Sequence, residues 1–217
     1  MANFKGVLHA DCYEGYNKII KNNGLIHAAC WAHARRYFYE PSMNNPKAEI
    51  ARYSLEAIHK IYHIEKRIKD LPLAFIDKIR RKYTLPLVDA LFDYWHRHLP
   101  ETNHGGATAK AIKYALNHEE ALRRFLSDPQ INIDNNPVER ALRVVAIGRN
   151  NWTFAGSDNG GETAAIMYTL IETAKLNDLN PEAYLAKVLS VIQDYNSLKL
   201  ADLLPWNIKN NPQLWPS

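Results

Sequence analysis

Two carboxylates, those of Asp11 and Glu139, occupy positions in the sequence that suit metal chemistry. Asp11 closes the short apolar run FKGVLHAD, and Glu139 lies in NIDNNPVERALR, at the start of an apolar helical pattern. Carboxylates at a strand end and in the first turn of a helix are suited to holding a divalent metal ion. Glu139 also has the position of a capping-box glutamate behind Asn136 and Pro137. Its residue type alone therefore leaves both roles open.

The helical pattern around Glu139 restricts the directions in which its side chain can point. Residues at the spacing of one helix face, which we expect to be buried, are Val138, Ala141, Leu142 and Val145. At about 100° per residue, Glu139 lies at the edge of this face and Arg143 lies one turn further on. A carboxylate at that edge can point toward Asp11, while Arg143 pairs with it or contacts a phosphate.

A second group of residues offers a competing metal site. It consists of an H-x-x-C pair and a C-x-x-H pair, formed by His9, Cys12, Cys30 and His33. Such residues hold structural zinc when their ligand atoms converge in a tetrahedron. Strand alternation puts His9 on one face and Cys12 near the other, so we favour a packed histidine and a buried thiol.

The composition is that of an ordinary soluble protein. The chain has 217 residues, of which 47% are apolar and 23% charged, and a net charge of +4. This length allows a sizeable core, and the mild basic excess permits nucleic-acid binding without requiring it. Two cysteines give no disulfide framework. No apolar run approaches the roughly 18 residues of a membrane span. We therefore expect a cytoplasmic protein with no membrane partner.

The elements around Asp11 predict the frame that positions it. FKGVLHAD and LIHAAC are apolar runs of strand length, and the helical pattern between them ends at Asn23-Gly24. A strand, a helix and a strand over so short a stretch indicate a βαβ unit with two parallel, buried strands. Asp11 then lies at the carboxyl edge of this sheet, where open parallel sheets place their ligand sites.

Helical patterns fill most of the remaining chain. The predicted helices cover residues 31–41, 47–69, 73–83, 86–98, 107–127, 161–177 and 181–193. Pro41 is expected to end the first of these, Pro86 to open the fourth, and Asn180 to cap the last. NNWTFAGSDNGGE is expected to form a short extended piece and a turn. The fold class is therefore α/β, but mostly helical.

Several longer stretches resemble one protein family. They occur in the family's order and read HADCYEGYNKI, CWAHARRYF, IDNNPVERALRVVAIGRNNWTFAGSDNGGETAAIMYTLIETAKLNDLNPEAYL and LLPWN. The chain is thereby similar to bacterial insertion-sequence transposases of the sixty-six family, from residue 5 to residue 208. These are DDE enzymes. The resemblance implies a partial ribonuclease H-like core with a two-stranded parallel sheet and an inserted all-helical block.

The resemblance and the predicted elements together imply four segments. Residues 1–42 are expected to supply the last strands and a helix of the ribonuclease H-like core, and residues 43–128 the helical insertion. Residues 129–195 are expected to form the core helices that carry the final glutamate of the family. Residues 196–217 are expected to be an irregular C-terminal tail.

The resemblance also implies a reaction, namely DNA transposition by metal-dependent strand cleavage and transfer. In the family, three carboxylates hold two Mg²⁺ or Mn²⁺ ions for in-line attack on phosphodiesters. Asp11, in HAD, matches the second aspartate of the family, and Glu139, in NNPVER, matches the final glutamate. Both are therefore the expected catalytic and metal-binding residues. The first aspartate belongs to an earlier segment, without which we expect the chain to be inactive.

DNA, as insertion-sequence ends and target, is the partner that the resemblance implies, beside the earlier transposase segment and a homo-oligomer. The residues expected to contact DNA are Arg35, Arg36, Asn136, Arg140, Arg143, Arg149 and Trp152. Arginines suit phosphates and Trp152 suits a base, although the same residue types also serve as ordinary surface or packing residues. The alternative function is a non-catalytic DNA-binding or interaction protein derived from a transposase.

Overall fold

The structure is a computed structural model that describes most of the chain. The described residues are 4–44, 48–103, 105–152, 156–211 and 213–215, with the backbone alone at 44, 137, 144 and 149–152. The chain divides into two compact units, Met1–Asn136 and Pro137–Ser217, which we call unit 1 and unit 2. Within the described residues, no helix is both long and apolar enough to cross a membrane.

Unit 1 combines a small parallel sheet with helices. Its main elements are β1 (Val7–Ala10), α1 (Gly15–Asn23), β2 (Ile26–Ala29), α2 (Trp31–Asn44), α3 (Glu49–Ile68), α4 (Leu73–Ile79), α5 (Leu85–His98), α6 (Ala107–Asn117) and α7 (Glu119–Arg123). The predicted βαβ unit is confirmed, because Val7 pairs with Ile26 and Ala10 with Ala29 in parallel register. The mostly helical α/β fold class is confirmed with it.

The prediction for Pro41 was wrong, whereas that for Pro86 is confirmed. Helix α2 continues past Pro41 and ends at Asn44, so the one backbone hydrogen bond that Pro41 cannot donate is lost close to the helix end. Pro86 lies in the first turn of α5, as predicted, and α4 leads into α5 through a π-helical turn (Arg80–Thr84). A proline ring clashes with the carbonyl four residues earlier, and here that residue, Lys82, lies in the wider π turn.

Aromatic side chains form the centre of the unit 1 core. Trp31 is fully buried, and its indole N–H donates to the carbonyl of Leu122 at 2.7 Å. Trp95 is also fully buried and stacks on Phe38, with ring centroids 5.1 Å apart. The Trp95 indole N–H donates to the Ser54 hydroxyl at 2.8 Å. Each buried indole therefore has a hydrogen-bond acceptor, as burial of a polar group requires.

A buried ion pair ties the π turn to the rest of unit 1. Arg80 lies 2.7 Å from Glu65, and the two side chains are only 4% and 6% exposed. The Arg80 guanidinium also donates to the carbonyls of Phe125 (2.6 Å) and Asp128 (3.1 Å). The Thr84 hydroxyl donates to Glu65 at 3.4 Å. The pair thus fixes α3, the π turn and the segment that leads toward residue 131.

Unit 2 contains the remaining helices. They are α8 (Asn136–Trp152, which begins at the last residue of unit 1), α9 (Asp158–Leu176), α10 (Pro181–Val191), a 3₁₀ segment (Ser197–Leu203) and α11 (Pro205–Ile208). The helices predicted over 161–177 and 181–193 are confirmed, and the Asn180 side chain accepts from Ala183 N as the predicted cap. The tail, expected to be irregular, instead includes the 3₁₀ segment and α11.

The core that the described residues of unit 2 form is small. Its buried residues are Ala174, Leu179, Tyr184, Leu203 and Ile208. The Tyr184 hydroxyl donates to the carbonyl of Leu203 at 3.0 Å, which joins α10 to the 3₁₀ segment. Large apolar side chains such as Ile166, Leu176 and Leu198 are exposed. The folding of this unit therefore rests on a limited set of buried contacts.

Candidate functional site

Asp11 lies at the carboxyl edge of the sheet, as the sequence predicted. It follows β1 directly, and the ladder continues to this edge because Cys30 N donates to the carbonyl of Ala10 at 3.2 Å. The Asp11 side chain is half-buried and accepts from the backbone N–H of Tyr13 at 3.4 Å. A carboxylate in this position remains accessible to a ligand at the end of the sheet.

Two free cysteines lie beside this edge, Cys12 half-buried and Cys30 buried. Burial raises the pKa of both Cys12 and Cys30, although Tyr114 hydrogen-bonds Cys12 and partly offsets the rise there. A raised pKa disfavours the thiolate, which is the nucleophilic form of cysteine. Within the described residues, no three of the four zinc candidates have ligand atoms within 4.8 Å of one another. His9, Cys12, Cys30 and His33 therefore do not converge as the four-residue set that the zinc alternative requires.

Asp134 lies just before α8 and was not among the predicted site residues. Its carboxylate accepts from Asn136 twice, from the backbone N at 3.2 Å and from the side-chain amide at 2.7 Å. Its charge also acts on β1 and α3. Burial lowers the pKa of His9 and Asp134 partly offsets this, whereas burial raises the pKa of Tyr62 and Asp134 raises it further. Asp134 therefore fixes the residue at which α8 begins.

The spacing of Asp134 and Asn136 gave a signal that could have identified this contact. An aspartate often accepts a hydrogen bond from the backbone N–H two residues later, which forms an Asx turn. Asn135 does not cap the helix, because its buried Oδ1 accepts no hydrogen bond from the described residues. Asn136, the predicted cap, is instead the first residue of α8 and is held by Asp134.

Glu139 lies in the first turn of α8, as predicted, and its side chain is half-buried. The buried face expected on this helix was wrong at three of its four residues, while the fourth, Val145, is half-buried. Val138 and Leu142 are 58% and 60% exposed, and Ala141 is also exposed. Apolar periodicity identifies the face that a helix is able to bury, but burial itself needs a facing element. Glu139 is therefore better buried than the apolar residues beside it.

The predicted DNA-contact residues fall into two groups. Arg35 and Arg36 are exposed on α2, and Arg140 and Arg143 are exposed on α8. Arg35 lies over the Tyr39 ring, 5.8 Å from its centroid. The predicted extended piece was wrong at its start, because α8 continues through Arg149 to Trp152. The side chains of these two residues, and residues 153–155, lie outside the described part of the chain.

Two tyrosines near Asp11 were also missed. Tyr37 on α2 stacks on Tyr114 on α6, with ring centroids 4.2 Å apart. Burial raises the pKa of Tyr114, and its neighbours Cys12 and Asp11 raise it further. Because Tyr37 and Tyr114 are far apart in the sequence, spacing alone gives no signal for this pair.

Comparison with known proteins gives a consistent result along the chain. A sequence model described as "Transposase IS66 family" matches residues 1–163, and one described as "IS66 C-terminal element" matches residues 169–206. No solved structure matches the chain significantly.

Curated relatives include longer proteins from a rhizobial species. The uncharacterized protein y4qI of Sinorhizobium fredii is 36% identical over 217 residues, which is 96% of this chain and 40% of that protein. The uncharacterized protein y4hP of the same species is 35% identical over 96% of this chain and 41% of its own length. The chain therefore spans about two-fifths of these relatives. A shorter match, over 24% of this chain, is 41% identical to the uncharacterized protein YuaK of Escherichia coli.

Proposed function

This chain belongs to the IS66 transposase family, and on that premise we propose that it is a portion of a DDE catalytic domain that cleaves and transfers DNA strands. One observation carries the proposal: the family match includes a parallel strand pair with Asp11 at its carboxyl edge. This strand, helix and strand order also supports our proposal that the core is ribonuclease H-like. The proposed partners are insertion-sequence ends, target DNA and the earlier transposase segment.

We propose Asp11 and Glu139 as two of the three carboxylates that hold divalent metal ions in the complete family site. Both side chains are half-buried, and Asp11 accepts only a long hydrogen bond from Tyr13 among the contacts described. Carboxylate oxygens of this kind fit Mg²⁺ and Mn²⁺. Two such ions, when bound, activate a water or a 3′-hydroxyl for attack on a phosphodiester.

The residues around these carboxylates have positioning and binding roles in the proposal. Asp134 holds Asn136 and thereby the start of α8, which carries Glu139. The phosphate contacts are proposed for the five arginines already named: Arg35, Arg36, Arg140, Arg143 and Arg149. Exposed guanidinium groups form bidentate hydrogen bonds with phosphate oxygens. Trp152 is proposed to stack on a base.

The proposal is tested by metal binding and DNA cleavage in the same preparation. Mn²⁺ binding to the full chain is measured by electron paramagnetic resonance, and nicking of a supercoiled plasmid is measured with Mn²⁺ or Mg²⁺. We expect Asp11→Asn and Glu139→Gln each to weaken Mn²⁺ binding about tenfold or more. Any nicking should disappear in both variants.

The matched controls are carboxylates of the same kind in other places. Asp70→Asn removes an exposed carboxylate of unit 1, and Glu182→Gln removes a first-turn glutamate from α10. Equal Mn²⁺ affinity in Asp11→Asn, Glu139→Gln and these controls would overturn the metal site. DNA binding without metal binding at Asp11 or Glu139 would instead support the alternative, a non-catalytic remnant.

A further inference from the structure

We propose that the face formed by Arg36, Tyr37, Lys110 and Tyr114, which we call the tyrosine–basic face, binds a single-stranded segment of nucleic acid beside Asp11. The inference rests on the proposed function, because it names the path of the DNA strand to that site. Tyr37 is the stacking platform for an unpaired base. Arg36 and Lys110 are the phosphate contacts.

Tyr37 has the geometry of a stacking platform. Its ring packs against Tyr114 with an interplanar angle of 26°, yet 48% of the residue is exposed. One ring therefore supports the other, and much of Tyr37 faces solvent. An exposed aromatic ring held in place by packing is the feature on which single-stranded nucleic acids stack, at about 1–3 kcal/mol per base.

A cavity beside Tyr37 brings basic groups to the same place. It has a volume of about 330 Å³ and is lined by Arg36, Tyr37, Glu40, Ala107 and Lys110. This volume is at the lower end of the range for small-ligand sites, about 300–1,000 Å³. The two cations outnumber the single carboxylate of Glu40, so the lining favours a phosphate. Glu40 is an acceptor for a base amino group.

The face is continuous with the proposed metal site. Tyr114 hydrogen-bonds Cys12, the residue next to Asp11, and the charge of Asp11 acts on Tyr114. A strand stacked on Tyr37 therefore has its next nucleotides within reach of Asp11. The occupant is single-stranded because a base must leave its duplex stack before an aromatic side chain can cover its face.

Unit 1 contains a second tyrosine pair that serves as an internal comparison. Tyr53 stacks near Tyr94, with centroids 4.1 Å apart, and is 44% exposed. The charged groups that act on Tyr94 are carboxylates, those of Glu101 and Glu49, which raise its pKa after burial and Tyr53. The two pairs are alike in geometry, but Arg36 and Lys110 line the cavity beside the Tyr37 pair, so that pair suits a polyanion better.

The test measures binding of a fluorescein-labelled oligothymidylate to the full chain by anisotropy, in EDTA so that no metal chemistry contributes. Tyr37→Ala should weaken binding about 5- to 150-fold, and Tyr37→Phe, which keeps the ring, should bind like the wild type. Lys110→Gln and Arg36→Gln should each make the salt dependence weaker. The negative slope of log affinity against log salt concentration should become less steep by about 0.7. Tyr53→Ala is the matched control and should leave affinity unchanged.

The possible outcomes separate this inference from the proposed function. The variants Tyr37→Ala, Lys110→Gln and Arg36→Gln could bind the oligonucleotide as well as the wild type does. In that case the assignment of binding to this face is wrong, and the proposed metal site is unaffected. Stronger binding of the matching duplex than of the single strand would also overturn the inference. If the wild type binds no DNA of either form, both proposals fail. The lysine and arginine variants keep the test valid should Tyr37→Ala fold poorly, which circular dichroism reveals.

Discussion

Units 1 and 2 hold their helices by different means. Side-chain capping hydrogen bonds are absent at the described N-caps of α1, α3, α4, α5, α6 and α7 in unit 1. In unit 2, Ser157, Asn180 and Asn196 each accept a hydrogen bond from the first turn that follows. Unit 1 instead buries tryptophans, phenylalanines and an ion pair. The comparison shows that tertiary packing can replace local helix signals.

Substitutions of tryptophan should give the largest difference between the units in the free energy of unfolding that is lost. Trp31→Ala removes a fully buried indole and its hydrogen bond to Leu122, so we expect the free energy of unfolding to fall by about 3–5 kcal/mol. Trp206→Ala, at a residue 48% exposed in unit 2, should change it by about 0.5 kcal/mol or less. Urea unfolding followed by far-UV circular dichroism measures both. Similar losses would contradict the contrast between the units.

The buried ion pair should give the next largest effect. Glu65→Gln leaves the Arg80 guanidinium charged and buried, so we expect a loss of about 3 kcal/mol. Asp77→Asn breaks the exposed pair with Arg81 and should cost less than about 1 kcal/mol. The double variant Glu65→Leu/Arg80→Met should recover part of the loss because no buried charge remains. The same unfolding experiment decides, and a small effect of Glu65→Gln would show that Arg80 is solvated.

A smaller effect is expected in the core of unit 2. Tyr184→Phe removes the donor to the Leu203 carbonyl, which should lower the free energy of unfolding by about 1–2 kcal/mol. Tyr195→Phe removes a hydrogen bond to Asp202 that is 3.2 Å long and only partly buried, and should cost less. Thermal melting of the two variants checks the order. The reverse order would mean that the α10 contact does not support unit 2.

Unit 1 should also lose stability in mild acid through His9 and His118. Burial lowers the pKa of both below the ordinary value of 6.5. As the pH falls through 6.5, the unfolded chain takes up protons that the folded chain does not, so stability is complete above this pH and declines below it. Urea midpoints measured on both sides of this pH should show the decline. His118→Gln should make it shallower, and an unchanged slope would contradict the assignment.

The smallest effect is expected on the apolar face of α8. Leu142→Ala should change the free energy of unfolding by about 0.5 kcal/mol or less, because Leu142 is 60% exposed. Ile58→Ala, at a fully buried position in unit 1, should cost about 2–5 kcal/mol. Chemical unfolding of the two variants compares the units directly. A loss above about 1 kcal/mol for Leu142→Ala would mean that another surface covers this helix face.

The elements that local patterns specify were predicted well. The βαβ unit followed from two apolar runs and a glycine stop, and α10 followed from Asn180 and Pro181. The carboxyl-edge position of Asp11 followed from the order of the strands. These features depend on residues that are close together in the chain. A short stretch of sequence therefore contains the signals for them.

The features that the sequence did not reveal depend on distant residues. Arg80 contacts Glu65 and the carbonyl of Phe125, and the spacing of these residues in the sequence indicates neither contact. Tyr37 meets Tyr114 only because α2 packs on α6. The apolar face of α8 was predicted to be buried because periodicity gives orientation without identifying a partner. Burial and long-range pairing therefore had to come from the three-dimensional structure.

The π turn at Arg80–Thr84 sets the phase between α4 and α5. A turn of this kind holds one residue more than an α-helical turn, and each residue advances a helix by about 100°. The buried face of α5, with Val88, Leu91, Phe92 and Trp95, is therefore offset from the register that an uninterrupted α-helix would give it. Deleting one residue here would regularise the backbone hydrogen bonds and rotate this face away from Trp31. The extra residue thus fixes the angle by which α5 is rotated about its axis relative to α4.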